Sequence, residues 1–540
     1  MRKTWAGGDG IVLVTGQSGV AIKACWEKLT GEQPVSVEGE IPEESGMRFI
    51  EFLCQPEYVQ FEYWSRAFKS ASSKAEESGC LTFHATYYHQ KKRELFSPVD
   101  FNVIRSLTGK VRMVVVFVDD IYDVYRRLMG PDQMYEDILD REKTDPLGAI
   151  FSSVFNVISL LNWREMEISF SRTIANLLGA KMFVVSTKHP DFMFRKLVER
   201  RLDDLRIYYL SHPITAIREE ADEFLGSFIG KLEILIEAVL EAPDLVLFFP
   251  TTIDELIIKR EKIGEHKYHY YPELGRRWGH PCKDKLLSPP LSPALRAVEP
   301  LNPLKYQLSG DKTNPVNQAV SCFLSLLWDY IYLKQTISRD YTLVEQCKNG
   351  VIACRPFFEG DSAGGVMGEL SYNFLLMGKQ PDRRAIVFST KEDRNRWAIR
   401  RLFQQLTHRL TSLPPNLASV GAQWESTGVE VWESDASSIR GRLENDLLSQ
   451  TYDFKATQSQ SAWTGNGIAR KLERKAQVFA EIFQNIKTDS ILTEATAAER
   501  IHGQRIAETE RLVYENWSQD RFWREVQQWV SENLINPKGR

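Results

Sequence analysis

The sequence holds no uninterrupted apolar run of about 18 residues, so no segment is expected to span a membrane as a helix. It also holds no C-x-x-C pair. Its 7 cysteines stand apart at positions 25, 54, 80, 282, 322, 347 and 354. An odd, scattered set in a large chain speaks against a disulfide framework or a zinc site and suits reduced thiols in a cytosol. An excess of one charge is missing too: 68 Lys and Arg face 72 Asp and Glu, a net charge of -4. No global field then draws the chain to nucleic acid or to acidic membranes. The opening MRKTWAGGDGIVLVTG passes from a short polar lead into an apolar run too short for a secretory h-region, with no cleavage site. Internal repeats and low-complexity tails are absent. Together these absences lead to the expectation of a cytoplasmic protein with no metal site and no nucleic-acid or membrane partner.

What is present is ordinary globular composition: 540 residues, 43% hydrophobic and 26% charged. That length is enough for roughly three to four domains with large cores. Over the first 200 residues, apolar runs alternate with helical patterns: IVLVTG (11–16), MRFIEFLC (47–54), LTFHATYY (81–88), VRMVVVFVDD (111–120) and AKMFVVSTKHP (180–190). Near-continuous apolar strands separated by helices predict a parallel sheet covered on both faces. A second series follows: LRIYYLSHPI (205–214), DLVLFFP (244–250), GVIACRP (350–356) and RRAIVFST (383–390). Residues 262–316, rich in Pro, Gly, Tyr and charge, read as an irregular insertion. NLASVGAQWESTGVEVW suggests a short hairpin, and the rest of the C-terminal region has helical periodicity. Trp517, Trp523 and Trp529 in that region suit packing between helices. The expected fold class is α/β, with two doubly wound, mainly parallel-sheet domains (1–200 and 201–412) and a mainly helical region (413–540).

IVLVTGQSGVAIKA resembles the strand–loop–helix of P-loop nucleotide kinases. A working loop of that kind reads G-x-x-x-x-G-K-[ST], with backbone N–H groups and a lysine on the phosphates. Gly16 and Gly19 are present, but Ala21 and Ile22 stand where the second glycine and the lysine belong, and Lys23 comes one place late. Asp119 and Asp120 end an apolar strand, as a magnesium-orienting aspartate does, or as a plain helix cap does. Three readings stay open: a degenerate P-loop-like domain, an active nucleotide kinase using ATP or GTP with Mg, and a coincidental Rossmann-like start. The candidate nucleotide-binding residues are Gly16, Gly19, Lys23, Asp119 and Asp120. Arg164 and the pair Lys188–His189 are candidate ligand contacts at strand ends, or solvated and capping residues.

Three pieces line up between 205 and 390: IYYLSHPI, SRDYTLVEQCKNGVIACRP and GDSAGGVMGEL. In the last, Gly365 stands four residues before Glu369. This series resembles the nucleoside 2-deoxyribosyltransferase-like family, which includes nucleotide N-glycosidases. The resemblance covers about 180 residues of the 540. It implies that Glu369 is the nucleophile and that Asp340 orients the substrate or acts as the acid. It implies substrate contacts from Tyr209, Ser211 and His212 in the first turn, and from Asp361, Ser362, Gly364 and Gly365 in the later loop. The first turn departs from the family in reading SHP where a small residue and glycine are usual. The implied activity is cleavage or transfer at the N-glycosidic bond of a nucleoside, nucleotide or nucleotide-derived cofactor, with no cofactor required. A homo-oligomer is also implied. A carboxylate near C1′ suits an oxocarbenium-like centre and can form a glycosyl-enzyme intermediate. A helix N-terminus beside Glu369 would favour its anion by roughly 0.3–1 kcal/mol and could seat a phosphate.

Structural roles for the same residues stay open beside these. Glu369 could be a helix-stabilising acid, Asp340 a helix-starting partner of Arg339, and His212 a satisfied turn histidine. Two other functions also stay open: a non-catalytic nucleotide sensor, and a P-loop nucleotide kinase.

Overall fold

Most of the apolar runs read above become strands, but MRFIEFLC (47–54) does not: Phe49–Phe52 form a short helix that buries Phe52 and exposes Ile50, one-sided burial that suits a helix rather than a strand covered on both faces. The computed structural model describes residues 10–89, 91–92, 94–130, 133–136, 146–212, 214, 230, 232–237, 239, 242–253, 258–264, 267–272, 286–287, 291–293, 315–331, 337–355, 364–377, 380, 383–390, 421–424, 429–435, 526–528 and 531–535. Asp361, Ser362, Trp517, Trp523, Trp529 and most of the 262–316 insertion lie outside them. The chain divides into two units. The first comprises Met1–Arg206, Gly226–Lys259 and Tyr270–Gln346; the second comprises Ile207–Leu225, Arg260–His269 and Cys347–Arg540.

In the first unit, β1 (Ile11–Thr15), β2 (Val35–Ser36), β3 (Cys80–Thr82), β6 (Val111–Val118) and β7 (Lys181–Ser186) form one sheet in the order β2-β3-β1-β6-β7. Every pairing in it is parallel. All five residues of β1 are buried, as are seven of the eight in β6. That explains why these strands read as unbroken apolar runs rather than alternating ones. The small ribbon β4 (Tyr87–His89) with β5 (Glu94–Phe96) is antiparallel. Helix α1 (Ile22–Thr30) follows β1, three helices α2 (Val37–Ser45), α3 (Phe49–Phe52) and α4 (Glu57–Ser78) lie between β2 and β3, and α5 (Phe101–Arg105) and α6 (Ile121–Leu128) flank β6. They are followed by the 33-residue α7 (Pro146–Leu178) and by α8 (Asp191–Glu199). Helix α4 buries Trp64, Ala67, Phe68, Ala71 and Ala75 on one stripe, at three- and four-residue spacing. Trp64 stacks on Phe68 at 4.9 Å, and both rings meet Phe83 edge-on. Removing either ring should cost about 3–5 kcal/mol. The first unit also holds β9 (Leu245–Phe248), α9 (Pro315–Tyr330) and α10 (Ile337–Gln346). Among the described residues no helix is long and apolar enough to cross a membrane.

Strand β8 (Arg206–Ser211) leads into the second unit, and β10 (Ile258–Gly264) and β11 (Lys267–Pro272) fall at its borders. The second unit contains β12 (Gly350–Arg355), α11 (Gly364–Met377), β13 (Arg384–Thr390), β14 (Gly421–Trp424) and β15 (Val429–Asp435). Strands β8, β12 and β13 run parallel, and helix α11 packs on β12 and β13. The short hairpin expected after residue 412 is present as β14–β15, and it extends the sheet from β13 in antiparallel fashion. Asn349 fixes the start of the parallel pair: its side-chain oxygen accepts from Ile207 N at 2.7 Å, and its own N–H donates to Ile207 O at 3.0 Å. The fully buried Arg383 donates to Asn373 Oδ1 at 2.6 Å, which fastens α11 to the entry of β13.

Two glycines of the second unit make opposite demands. Gly350 opens β12 at φ +107°, and a Cβ there would fall 1.9 Å from the Arg384 carbonyl oxygen on β13. Gly365 is the second residue of α11, and a Cβ there would meet nothing within 4 Å. Gly350→Ala should therefore lower the thermal unfolding midpoint, corresponding to a loss of at least about 2 kcal/mol. Gly365→Ala should leave the midpoint unchanged or raise it, by up to about 1 kcal/mol.

Candidate functional site

The second unit assembles a carboxylate site from two chain-distant pieces. Strand β8 places Tyr209 and Ser211 two residues apart, so both project to the same face. Tyr209 OH donates to Glu369 Oε1 at 2.8 Å, and Ser211 Oγ donates to Glu369 Oε2. All three side chains are buried. The structure thus brings together three of the residues singled out from sequence: Tyr209, Ser211 and Glu369. His212 follows directly and is also buried. Burial, partly offset by a hydrogen bond with the Leu210 backbone, pushes its pKa from 6.5 down to about 4. The ring is therefore neutral near pH 7.

One expectation about Glu369 is corrected by the helix start. Helix α11 begins at Gly364, and no acid lies in its first turn. Glu369 is the sixth residue, beyond the reach of the dipole, which fades within the first turn. The two hydroxyl donors stabilise the carboxylate instead. Gly364 and Gly365 lie in that first turn, with Gly365 exposed. Asp340 belongs to α10 of the first unit, where Arg339 Nε and Nη2 each hold its Oδ1 at 2.8 Å. Arg339 also donates to Ile253 O at 2.7 Å.

In the first unit the carboxyl ends of β6 and β7 carry a buried charge cluster. Asp119 Oδ2 pairs with Arg127 at 2.7 Å, and Asp119 Oδ1 accepts from Asp120 N at 2.8 Å. Asp120 caps α6 through Tyr122 N at 2.9 Å. Asp123 pairs with Arg126 at 2.8 Å and with Lys188. Lys188 Nζ also lies 3.6 Å from Asp119 and 4.0 Å from Asp120. Three carboxylates thus face Arg126, Arg127 and Lys188. Burial alone would lower the pKa of Lys188, but Asp120, Asp119 and Asp123 outweigh it and hold the pKa above its ordinary value. Arg164 donates to the Asp119 backbone oxygen at 3.3 Å. His189 stacks on Phe248 with ring centroids 5.1 Å apart, and burial pushes its pKa to about 3.

The glycines after β1 serve packing. A Cβ on Gly16 would fall 2.7 Å from Phe117 O, and one on Gly19 (φ +87°) would fall 2.9 Å from Val124. Arg127 donates to Gly19 O at 2.9 Å, which ties the turn to α6. Lys23 is exposed on α1, while the lysine that reaches Asp119 and Asp120 is Lys188. Between β1 and β3, Glu167 of α7 accepts from Thr15 Oγ1 (2.5 Å), Gly16 N (3.2 Å), Ala85 N (2.8 Å), Thr86 N (2.8 Å) and Thr86 Oγ1 (2.5 Å).

Glu167, Asp123, Arg126 and Arg127 escaped the sequence reading. A signal for Glu167 was present in α7. Leu160, Arg164, Glu167 and Ser171 recur at three- and four-residue spacing, which puts polar groups on one stripe of an otherwise apolar helix. No protein-family model and no curated protein sequence matches the chain.

Two outcomes follow from the buried charges. Lys188→Met removes the cation that lies within 4.0 Å of all three buried carboxylates and should destabilise the protein by about 3–5 kcal/mol. Adding Asp123→Asn should restore part of that loss in a double-mutant cycle of unfolding free energies. The second outcome concerns acid. Unfolded His212 binds a proton below about pH 6.5, whereas folded His212 binds one only below about pH 4. Its contribution is therefore complete above pH 6.5 and shrinks as pH falls towards 4, by up to about 3 kcal/mol. His212→Gln should flatten this part of the stability–pH curve relative to wild type.

Proposed function

We propose that the second unit cleaves or transfers at the N-glycosidic bond of a nucleoside, nucleotide or nucleotide-derived cofactor, with Glu369 as nucleophile. The observation that carries this reading is the pair of hydroxyls from β8, Tyr209 and Ser211, donating to the two oxygens of Glu369. They join the head of the proposed site to its nucleophile across some 160 residues. Neutral hydroxyl donors favour the anion without neutralising it, as an ion pair would.

In this scheme a Glu369 oxygen bonds to C1′ as the C1′–N bond breaks. The bonding pair leaves with the base, which takes a proton from solvent. Water then adds to C1′, the ester bond breaks, and the carboxylate is regenerated; an acceptor base in place of water gives transfer. The scheme assigns no step to Asp340, which belongs to the first unit. The neutral His212 is suited to hydrogen bonding with a sugar or base. The architecture that accompanies this reading is two doubly wound α/β units with a helical C-terminal region, in a cytoplasmic enzyme acting on small molecules.

The test is base release from a panel of nucleosides, nucleotides and NAD. Glu369→Gln should reduce it at least about a thousandfold. Tyr209→Phe should reduce it about 10- to 100-fold, as expected for one hydrogen bond to a charged group. Identical release by wild type and Glu369→Ala across the panel would sink the reading. Nucleotide-dependent thermal stabilisation without any base release would favour a sensor instead.

A further inference from the structure

We infer that the first unit carries an oxyanion seat at the carboxyl ends of β1 and β3, and that Glu167 is its resident, intramolecular occupant. The donors are three backbone N–H groups (Gly16, Ala85 and Thr86) and two hydroxyls (Thr15 and Thr86), all converging on one carboxylate. No cation is among them. Such a donor set is selective for an anion by geometry, as backbone nests are. It lies where parallel α/β sheets present ligand sites, beyond the strand ends. Glu167 is 1% exposed, and its carboxylate uses about all the acceptor directions it has.

The surroundings hold this arrangement shut. Ser171 on the same helix lies 3.0 Å from Thr15 Oγ1, Gln17 Nε2 donates to Leu160 O at 3.2 Å, and Trp163 Nε1 donates to Thr86 O at 3.3 Å. A second carboxylate, Glu38, accepts from His84 N at 2.8 Å and Tyr87 OH at 2.6 Å. It pins the same segment after β3 from the other side. A nucleoside triphosphate with magnesium does not fit these residues. Gly16 N, at the head of the turn, already serves Glu167, Asp119 is engaged by Arg127 and by Asp120 N, and Lys23 faces solvent. The glycines of the turn are accounted for by the approach of Phe117 O and Val124. The chain has built the seat and supplies its own anion.

This inference is independent of the role of Glu369, and its test needs no turnover. Full-length wild type, Glu167→Ala and Glu167→Gln are compared by thermal unfolding in chloride, acetate, inorganic phosphate and MgATP at matched ionic strength. Hydrogen exchange is followed in peptides covering 15–17 and 83–87. Wild type should show no anion-dependent change in those peptides. Glu167→Ala should unfold several degrees lower, then regain part of the loss and of the amide protection in acetate or phosphate, which enter the vacated seat. Glu167→Gln, whose amide NH₂ faces donors, should also be destabilised. MgATP or phosphate protecting residues 15–17 and 83–87 in wild type overturns the inference. So does a folded Glu167→Ala that gains nothing from either anion. If Glu167→Ala does not fold, the wild-type exchange arm decides alone.

Discussion

Parallel sheets end in a row of backbone donors with no strand to receive them, and an unpaired buried N–H is costly. The first unit answers this constraint with a side chain. One carboxylate from the middle of α7 closes the ends of β1 and β3 together. The position of that helix, the conformation of the Gly16 turn and the closure of the 83–87 segment all depend on it. The second unit faces the same geometry at the end of β8 and meets it differently. There the strand offers side-chain hydroxyls, and the carboxylate comes from the helix after the neighbouring strand. One carboxylate receives backbone N–H groups and hydroxyls together, and the other receives two hydroxyls from a neighbouring strand.

This contrast reverses the apparent rank of two glycine-bearing loops. The turn at Gly16 looks like a phosphate loop because glycines recur in it, yet those glycines answer to Phe117 and Val124. Gly365 has no such neighbour and an ordinary helical backbone, so packing does not demand its presence. A glycine that nothing in the fold requires is compatible with a ligand's need for close approach. The buried aspartates of β6 follow the same logic as the first loop. Each has an internal partner, and Arg126, Arg127 and Lys188 face them.

Much of this was legible in the sequence where burial is two-sided. IVLVT and VRMVVVFV are apolar throughout because both faces are covered, and the hairpin at 421–435 showed through its alternation. The link between Tyr209, Ser211 and Glu369 was foreshadowed by chain order and residue type. What could not be read was pairing. Lys188 stood out as a strand-end residue, but only the fold shows that it answers the aspartates in place of Lys23. The partners of Glu167 were hidden for the same reason: an acid inside a long apolar helix gives no hint of donors 82 and 151 residues upstream. The helix-dipole argument for Glu369 failed on a boundary, since α11 starts at Gly364 and leaves the acid one turn too deep.

The distance between Thr15 and Glu167, 152 positions along the chain, also bears on the order of synthesis. Chains emerge from the ribosome N-terminus first, at about 5–20 residues per second. Strand β1 is therefore complete well before the acceptor for its end exists. During that interval of roughly ten to thirty seconds, β1 and β3 can pair, yet the Thr15 hydroxyl and the Gly16, Ala85 and Thr86 N–H groups lack the carboxylate that receives them. The sheet's edge closes when the middle of α7 arrives, so the N-terminal third of the chain acquires its final form late. A nascent chain stalled before residue 167 would present open strand ends to whatever chaperone waits at the exit.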